Sequence, residues 1–361
     1  MKEKHRTFLQ QLLTTSSPTG AEMAGQRVWA DYLRPVSDAV ENDAYGNTWA
    51  TLQGSGGEST IRVLLEAHAD EIGFMVNYIS DEGFLSVVPV GGSDSAITRG
   101  KRVVFAGSKG EVKGVIANTA IHLRKDRPGV EKTPKWHEVY IDIGEDSKAA
   151  VIERGLNVGT YGVYDVEPVE LTDNRLVNRA IDNRISGYIL ARVFENLKAE
   201  STSPEATLYA VNAVQEEVGG NGAVMIANRL FPDLALVFDV THATDTPGID
   251  KKQCGEIKLG GGPTLTHGTA NHPLIVDRLM AIAERECITV QHEATSRFTG
   301  TDTDRIFLSK TGIPSALISI PLRYMHSPVE MVDLGDVEAT IKLVTAFVKD
   351  LKADERFAHA L

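Results

Sequence analysis

The sequence predicts an α/β fold, with a mostly parallel sheet flanked by helices and a small β domain inserted into it. Apolar strand patterns alternate with helical patterns in residues 1–73 and again in residues 170–361. Between them, in residues 74–169, short β-rich runs are separated by Gly or charged turns. We therefore predict one α/β domain built from 1–73 and 170–361, and an inserted β domain at 74–169.

The first segment predicts two helices and two strands. Apolar residues at helical spacing between residues 8 and 13 are followed by a stop at Ser17–Gly20. A second helix is expected over 21–33. Strands are expected at 48–52 and at 61–67, the second of them mostly apolar and therefore buried.

The middle segment shows helical spacing only at 147–154, and its other patterns are typical of strands. The predicted strands are 74–79, 84–90, 102–106, 111–116, 139–143 and 160–166.

The last segment returns to alternation, because Ile185, Ile189, Val193 and Leu197 form the apolar face of a helix. The Gly-rich stretch 259–263 lacks the spacing of a dinucleotide-binding loop. Further strands are predicted at 206–214, 234–238, 288–292 and 315–320, and further helices at 223–228, after 300–304, at 273–286 and at 336–351.

Composition excludes several classes of function. The 361 residues carry a formal net charge of -12, and no run of Lys or Arg suggests a nucleic-acid partner. No apolar run approaches the roughly 20 residues of a membrane span, and the N-terminus has no signal-peptide pattern. Cys254 and Cys287 show no CxxC spacing, which argues against disulfides and thiolate zinc sites. We expect a cytoplasmic protein.

Residues that can bind metals fall at the ends of the predicted strands. Parallel strands bring their carboxyl ends to one edge of a sheet, so these side chains are expected to converge. Two His and three carboxylates are a ligand set for two divalent ions such as zinc, cobalt or manganese, with positions left open for hydrolysis. Five positions are involved: His68, the adjacent pair Glu216/Glu217 counted as one, Asp239 and His326 lie at or near strand ends, and Asp182 precedes a helix.

Each of these residues alone has an ordinary explanation. A single His after an apolar strand is typically a hydrogen-bonded core residue, and Asp182 could cap its helix. Asp239 could cap a helix or pair with a base, and Glu216–Glu217 could be an exposed acidic pair at a turn. Their combination at one edge of the sheet favours the metal site. Neighbours on a strand point in opposite directions, so one glutamate can bind metal while the other faces the substrate water.

Asp70 follows His68 by two residues and could be a simple turn residue. It is also placed to accept a hydrogen bond from the ring nitrogen of His68 that does not bind metal, which would fix the tautomer.

The chain resembles the TET-type aminopeptidases, a family of glutamyl-aminopeptidase-like two-metal peptidases whose members have also been labelled endoglucanases. The resemblance runs in the same order over nearly the whole chain, including the turn at Asp43–Asn47. Its motifs are His68–Val76, Asp182–Arg184, Gln215–Gly219, Phe238–Asp239 and Arg323–Ser327.

This resemblance implies a zinc-peptidase α/β domain with a β-barrel-like insert that serves oligomerisation or the cleft. It also implies two divalent ions per subunit, zinc or cobalt first and manganese third. Asp182 would bridge the ions, His68 and Asp239 would complete one site, and Glu217 and His326 the other. Glu216 would be the general base for a metal-activated water, with Asp70 supporting His68.

Two departures from the family pattern are visible. Asn183 stands where many relatives carry a second Asp, so a charged role for that side chain is in doubt. Ala69 stands where relatives carry a larger apolar residue. Neither change removes a ligand.

The resemblance further implies short peptides as substrates and a homo-oligomer, commonly a tetrahedral dodecamer. A carboxypeptidase or amide deacylase with the same two-metal site remains an alternative, because the ligands do not say which end of the substrate is bound. Paired carboxylates also occur in glycan hydrolases, but strand-end His residues have no role in that chemistry. A metal-storing or structural scaffold would not need Glu216.

Substrate preference is not determined by these motifs. Arg323 could favour acidic side chains or could be a structural ion-pair partner. We expect the loops at Gly260–Gly262 and Gly300–Asp304 to line the substrate cleft.

Overall fold

Alternating apolar strands and amphipathic helices form a large sheet covered by helices, and a closed barrel is inserted after the third strand. A computed structural model describes residues 1–57, 60–123, 133–172, 174–200 and 203–359. The helices longer than a single 3₁₀ turn are α1 (Glu3–Thr14), α2 (Met23–Leu33), α3 (Lys148–Glu153), α4 (Ile181–Ala199), α5 (Asn221–Leu230), α6 (Lys251–Cys254), α7 (Pro273–Arg285), α8 (Thr303–Ile306) and α9 (Leu334–Asp350).

The strands belong either to the large sheet or to the barrel. Those of the sheet are β1 (Ala39–Asn42), β2 (Thr48–Leu52), β3 (Arg62–His68), β10 (Val169–Thr172), β11 (Arg175–Asn178), β12 (Thr207–Ala213), β13 (Leu234–His242), β14 (Thr264–Gly268), β15 (Gln291–Thr295), β16 (Ser315–Arg323) and β17 (Glu330–Asp333). Those of the barrel are β4 (Gly73–Ile79), β5 (Leu85–Val90), β6 (Arg102–Gly107), β7 (Gly110–Ile116), β8 (Tyr140–Asp142) and β9 (Tyr161–Tyr164).

The centre of the large sheet is parallel. Its strand order is β1-β2-β12-β3-β13-β16-β17-β11-β10, and β12, β3, β13 and β16 run in the same direction. Antiparallel strands flank this centre, and β14 joins β16 outside the main order. Central parallel strands covered on both faces are expected to be buried along their length, as β3 and β12 almost entirely are. The predicted α/β class is confirmed.

Helices cover both faces of the sheet because successive residues of a strand point to opposite sides. Val63 and Leu65 of β3 belong to one buried cluster, together with residues of α1, α2, α4, α7 and α9. Leu64 belongs to a second cluster with residues of α5 and α8. The carboxyl ends of the parallel strands are therefore left as the open edge.

The inserted strands close into an antiparallel barrel in the order β4-β5-β8-β7-β6-β9. The barrel has its own buried core, with Phe74, Phe105 and Ile141 at its centre and Val151 of α3 packed against it. The barrel-like insert is thus confirmed. The boundaries 1–73, 74–169 and 170–361 stay a prediction, and residues 124–132 of that interval lie outside the described residues.

Several elements differ from their predicted limits. Strand β13 extends four residues further than predicted, to His242, and β16 extends three residues further, to Arg323. The strand predicted at 288–292 is β15 at Gln291–Thr295, and the helix after Gly300 is the short α8. The four-residue strand β10, which is exposed along its whole length, was not predicted.

Within the residues described, no helix combines the length and the apolarity needed to cross a membrane.

Candidate metal centre

The predicted ligands converge at the carboxyl edge of the parallel strands. His68 is the last residue of β3 and lies beside Ala213, the last residue of β12. Strand β13 pairs with β3 so that Val237 lies beside Glu66, and Asp239 and His68 both follow two residues later. Residues two apart on a strand share a face, so neighbouring strands direct these two side chains to the same place.

Asp182 lies at the irregular start of α4, and the regular part of the helix follows Asn183. Asp182 has a φ of -72° and a ψ of 108°, which are not helical, and its peptide bond to Asn183 is cis. The amide of Asn183 donates to the Phe238 carbonyl oxygen at 2.7 Å, which attaches the start of α4 to β13. Asn183 therefore has a structural contact that does not depend on charge.

One group of possible ligands surrounds His68. The His68 Nε2 atom lies 3.2 Å from Asp182 Oδ1 and 3.7 Å from Asp239 Oδ1. One ligand atom from each of these three residues falls within a cluster 4.8 Å across. All three side chains are buried.

A second group shares Asp182 through its other oxygen. The His326 Nε2 atom lies 3.5 Å from Asp182 Oδ2 and 3.3 Å from Glu217 Oε2. Ligand atoms of these three residues also fall within 4.8 Å of one another. One carboxylate thus faces both groups, as a ligand shared by two ions would.

The donor set fits divalent cations. Among the described residues, no Lys or Arg forms an ion pair with Asp182, Glu216, Glu217 or Asp239. Asp182 Oδ1 and Glu217 Oε1 are buried without a hydrogen-bond partner. Buried carboxylates are normally paired or bound to metal, because an isolated buried charge is strongly unfavourable. Nitrogen and oxygen ligands without thiolate suit zinc, cobalt or manganese.

The electrostatics of the protein alone oppose ionisation of Asp239 and Glu217 but not of Asp182. Burial would raise the pKa of Asp182, but its contacts with His326 and His68 lower it. Burial, reinforced by the neighbouring Asp182, raises the pKa values of Asp239 and Glu217. Burial would lower the pKa of His68, but its contacts with Asp182, Asp239 and Asp70 raise it well above the usual value. Metal ligation requires ionised carboxylates and neutral imidazoles, so bound cations would reverse both trends.

Glu216 lies beside the first group without belonging to either group. Its Oε2 atom is 3.9 Å from His68 Nε2. Burial raises the pKa of Glu216 to about 10, and the nearby carboxylates of Asp239, Asp302 and Glu217 add to the increase. The two glutamates occupy a 3₁₀ turn (Glu216–Val218) and not the end of β12. The geometry of this turn, and not the alternation of a strand, therefore directs their side chains to different places.

Asp70 holds the turn that carries both glutamates. It accepts hydrogen bonds from the backbone N–H of Glu216 at 3.0 Å and of Glu217 at 3.1 Å. The Thr19 hydroxyl donates to it at 2.9 Å, and His68 Nδ1 lies 3.4 Å away. Asp70 is therefore more than a turn residue, because it connects His68 to the Glu216–Glu217 turn.

Other residues around the site gave no signal in the sequence. The carboxylate of Glu330 accepts hydrogen bonds from the backbone N–H groups of Asp182 and His326. The carbonyl oxygen of Gly92, in the barrel region, lies 3.1 Å from His326 Nδ1. Glu66 and Asp302 are buried, and none of their carboxylate oxygens has a hydrogen-bond partner. Glu66 lay within an apolar strand pattern, so nothing marked it as part of the site.

The centre opens into a cavity of about 680 Å³. The cavity is lined by Gly300, Thr301 and Asp304, as expected, but not by Gly260–Gly262. The expectation was wrong for the Gly260–Gly262 loop, because the N–H groups of Gly260 and Gly262 donate hydrogen bonds to Asp336 instead.

Arg323 is a structural ion-pair partner. Its Nε and Nη2 atoms donate to the two carboxylate oxygens of Asp245 at 2.7 and 2.8 Å, and Arg323 does not line the cavity. A planar two-bond pair leaves little of the guanidinium free for substrate.

Comparison with known proteins identifies the family that this chain resembles. Residues 46–343 match the family model described as M42 glutamyl aminopeptidase. The lysyl aminopeptidase of Pyrococcus furiosus is 33% identical over 346 residues, which cover 96% of this chain and 97% of that protein.

Solved structures agree in fold. The TET aminopeptidase of a marine sediment Thaumarchaeota archaeon superposes with a TM-score of 0.91 at 31% identity, covering 97% of each chain. The TET1 peptidase of Pyrococcus horikoshii, which can assemble into a tetrahedron or a large octahedral shell, superposes with a TM-score of 0.83 at 28% identity. That match covers 96% of this chain and 100% of the other.

Proposed function

The chain belongs to the M42 glutamyl aminopeptidase family and is a metal-dependent aminopeptidase, and we propose that the centre formed by His68, Asp182, Glu217, Asp239 and His326 carries its activity. The observation that supports this proposal most directly is the pair of ligand groups that share Asp182. The comparisons do not favour a carboxypeptidase, an amide deacylase or a glycan hydrolase.

We assign the residues to two adjacent ion sites. Asp182 would be the bridging ligand, His68 and Asp239 would complete one site, and Glu217 and His326 the other. The distances from Nε2 of each His to its own oxygen of Asp182 support this division. Asp70 would support the site through His68 and through the turn of the two glutamates.

When bound, two divalent ions would lower the pKa of a water molecule toward about 7 and polarise the scissile carbonyl. Glu216 would take the proton from that water and return it to the leaving amine nitrogen. A well-placed general base of this kind contributes typically about 10²- to 10⁴-fold to the rate. Glu216 suits the role because it borders the cavity but belongs to neither ligand group.

Glu216 must be ionised to act as a base. Burial and neighbouring carboxylates raise its pKa to about 10 in the protein alone, so it would carry a proton at neutral pH. Two nearby dications would favour the charged form and lower this pKa. The proposed base and the proposed ions therefore depend on each other.

We propose zinc or cobalt as the native ion, with manganese as the third candidate. Two imidazoles and three carboxylates suit all three ions, and manganese comes third because sites of this kind generally bind Mn²⁺ more weakly than the later divalent metals. Metal-free protein reloaded with each ion in turn, and assayed at equal occupancy, would rank them.

We also propose that the chain forms a homo-oligomer, a tetrahedral dodecamer, through the inserted domain at 74–169. The TET1 relative assembles into shells of this kind, and the barrel has a core separate from that of the large sheet. Native mass spectrometry would report twelve subunits if this is correct.

The two free, exposed cysteines, Cys254 and Cys287, fit a reducing cytoplasm as the place of action.

The function can be tested with one set of matched peptides. A short peptide with free ends, its N-acetylated form and its C-amidated form would be incubated with and without a chelator. We expect release of the N-terminal residue from the free and amidated peptides, none from the acetylated one, and loss of activity with chelator. Removal of the C-terminal residue, or release of acetate, would contradict aminopeptidase activity.

A further inference from the structure

The carboxylate of Glu330 connects two residues that are far apart in the chain. Its Oε2 atom accepts a hydrogen bond from the Asp182 backbone N–H at 3.0 Å, and its Oε1 atom accepts one from the His326 N–H at 2.9 Å. Glu330 is 2% exposed, and among the described residues it has no Lys or Arg ion-pair partner. A buried carboxylate used only by two amides calls for a structural or functional explanation.

Glu330 lies at an inner position of the large sheet, between β11 and β16. It begins β17, where it is opposite Asn178 of β11 in an antiparallel pair. Strand β11 leads into the segment that reaches Asp182, and β16, the other neighbour of β17, leads to His326. Glu330 therefore stands between the two chain segments that leave the sheet to form the site.

Both segments have backbone conformations that need external support. His326 has a φ of +61°, in the left-handed region that a non-glycine residue rarely adopts. In the segment that reaches Asp182, Ala180 has a φ of +58°, in the same left-handed region. Unusual conformations of this kind cost about 1–3 kcal/mol each and persist only when the surrounding contacts determine them.

We propose that Glu330 is a positioning residue for the peptidase reaction, because its two hydrogen bonds set the spacing between the bridging ligand Asp182 and His326. This inference rests on the proposed function of the site, since Glu330 can position ligands only if Asp182 and His326 bind ions. Glu330 touches backbone and not the ligand atoms, so it acts through them.

A glutamine at this position separates positioning from ligation. The amide side chain has one oxygen acceptor, and its NH₂ group would face the second backbone N–H, so one of the two hydrogen bonds is lost. Losing such outer contacts of a metal site typically lowers metal affinity by about 10- to 100-fold. We expect Glu330→Gln to show this loss at the site that contains His326.

The chain offers a matched control in Asp336. It is 1% exposed, and like Glu330 it accepts hydrogen bonds from two backbone amides, those of Gly260 at 2.8 Å and Gly262 at 2.7 Å. Neither Asp336 nor its partners line the cavity. Asp336→Asn removes one acceptor in the same way and should lower stability without changing metal binding.

The experiment titrates metal-free wild type, Glu330→Gln and Asp336→Asn with Co²⁺, followed by its visible absorption and by equilibrium dialysis. We expect one Co²⁺ to bind about 10- to 100-fold more weakly to Glu330→Gln only, and excess Co²⁺ to restore its peptidase turnover. Unchanged Co²⁺ affinity in Glu330→Gln, or equal losses in both variants, would refute the proposal. If Glu330→Gln does not fold, Glu330→Asp, whose shorter side chain cannot reach both amides, must show the same selective loss.

The readout also separates this inference from the proposed function. If wild type binds no Co²⁺, or cleaves peptides equally well with chelator, the assignment of the metal centre has failed. If wild type binds two ions and requires them, while Glu330→Gln is indistinguishable from it, only the positioning role has failed.

Discussion

Glu216 and Glu217 are adjacent in sequence, yet the site uses them differently. Glu217 lies 3.3 Å from His326 and belongs to a ligand group, whereas Glu216 lies 3.9 Å from His68 and belongs to none. The Asp70 carboxylate accepts hydrogen bonds from the backbone N–H groups of both glutamates and so holds the turn in one conformation. A small geometric difference, maintained by one carboxylate, separates a proposed base from a proposed ligand.

We predict that Glu216→Gln keeps both ions and loses most turnover. The amide has nearly the same shape but cannot take a proton from water, so kcat should fall by about 10²- to 10⁴-fold. Metal content and kcat would be measured on the same preparation. The matched variant Glu217→Gln should instead bind one ion fewer; near-normal kcat in fully loaded Glu216→Gln would refute the assignment.

Glu22 should make stability depend on pH. It is buried, and burial raises its pKa to about 7, although the N–H of Gly20 donates to it. A raised carboxyl pKa means that the folded protein holds this proton more tightly than the unfolded chain. The stabilisation is therefore complete below about pH 4.5 and is lost as pH rises through about 7.

Glu22→Gln should remove this loss. The variant should gain stability relative to wild type as pH rises from 5 to 8, by up to about 3 kcal/mol. Urea unfolding at the two pH values would measure the gain, with the exposed Glu111→Gln as control. A difference between variant and wild type that is the same at both pH values would contradict the prediction.

At the scale of elements, the barrel contributes directly to the proposed metal centre. The segment after β5 brings the Gly92 carbonyl oxygen to 3.1 Å from His326 Nδ1, on the ring side opposite Nε2, the proposed ligand atom. A hydrogen bond there fixes the tautomer that leaves Nε2 free to bind metal. A Cβ atom added at Gly92 would lie 2.7 Å from the same Nδ1, so the close approach requires glycine.

We predict that Gly92→Ala weakens the ion site of Glu217 and His326. The added methyl group must displace the imidazole, and a shift of about 1 Å in an active site can cost about 10²-fold in rate. The control is Gly114→Ala, also in the barrel, where a Cβ would meet Ile141 and Ile143 at 3.0 Å. Both variants should lose stability, but only Gly92→Ala should lose metal in a zinc-content assay.

The same contact limits how independent the two parts of the chain can be. The barrel has a separate core, but the segment after β5, Gly91–Gly92, approaches Glu217 and His326. A Cβ at Gly91 would lie 3.1 Å from Glu217 Oε2. If the chain assembles through the barrel as proposed, this short segment is the part of the barrel through which assembly would change the positions of Glu217 and His326.

At the scale of the whole molecule, the metal centre should be a source of stability. Four buried or half-buried carboxylates, those of Asp182, Glu216, Glu217 and Asp239, face one another without a Lys or Arg partner among the described residues. Ions that bind the folded state alone add free energy of folding by mass action, about 2.7 kcal/mol per site at a hundredfold excess over Kd.

Removing the ions should therefore lower the melting temperature. For a chain of this size the loss corresponds to roughly 5 °C or more. Differential scanning calorimetry before and after dialysis against a chelator would measure it, and readdition of Zn²⁺ should restore the original value. A chelator-treated protein that is proven metal-free and melts at the same temperature would contradict this prediction.

Local patterns determined most of the secondary structure and the ligand candidates. Strand β2 has the predicted limits, and β3 begins and ends within one residue of them. His68, Asp239 and His326 were found because apolar strands end near them, and strand ends are visible in hydropathy. The joint metal interpretation followed from one rule, that parallel strands share their carboxyl edge.

Contacts between distant segments were decided only by the tertiary structure. Glu330 and Asp182 are separated by 148 residues, and Gly92 and His326 by 234, so no periodic pattern could connect either pair. Asp70 gave a local signal toward His68 but none toward the turn of Glu216. Hydropathy reports which face of an element is buried, whereas hydrogen bonds to a particular backbone N–H depend on where the folded chain brings that group. The sequence alone therefore identified the proposed ligands, and the fold decided what holds them in position.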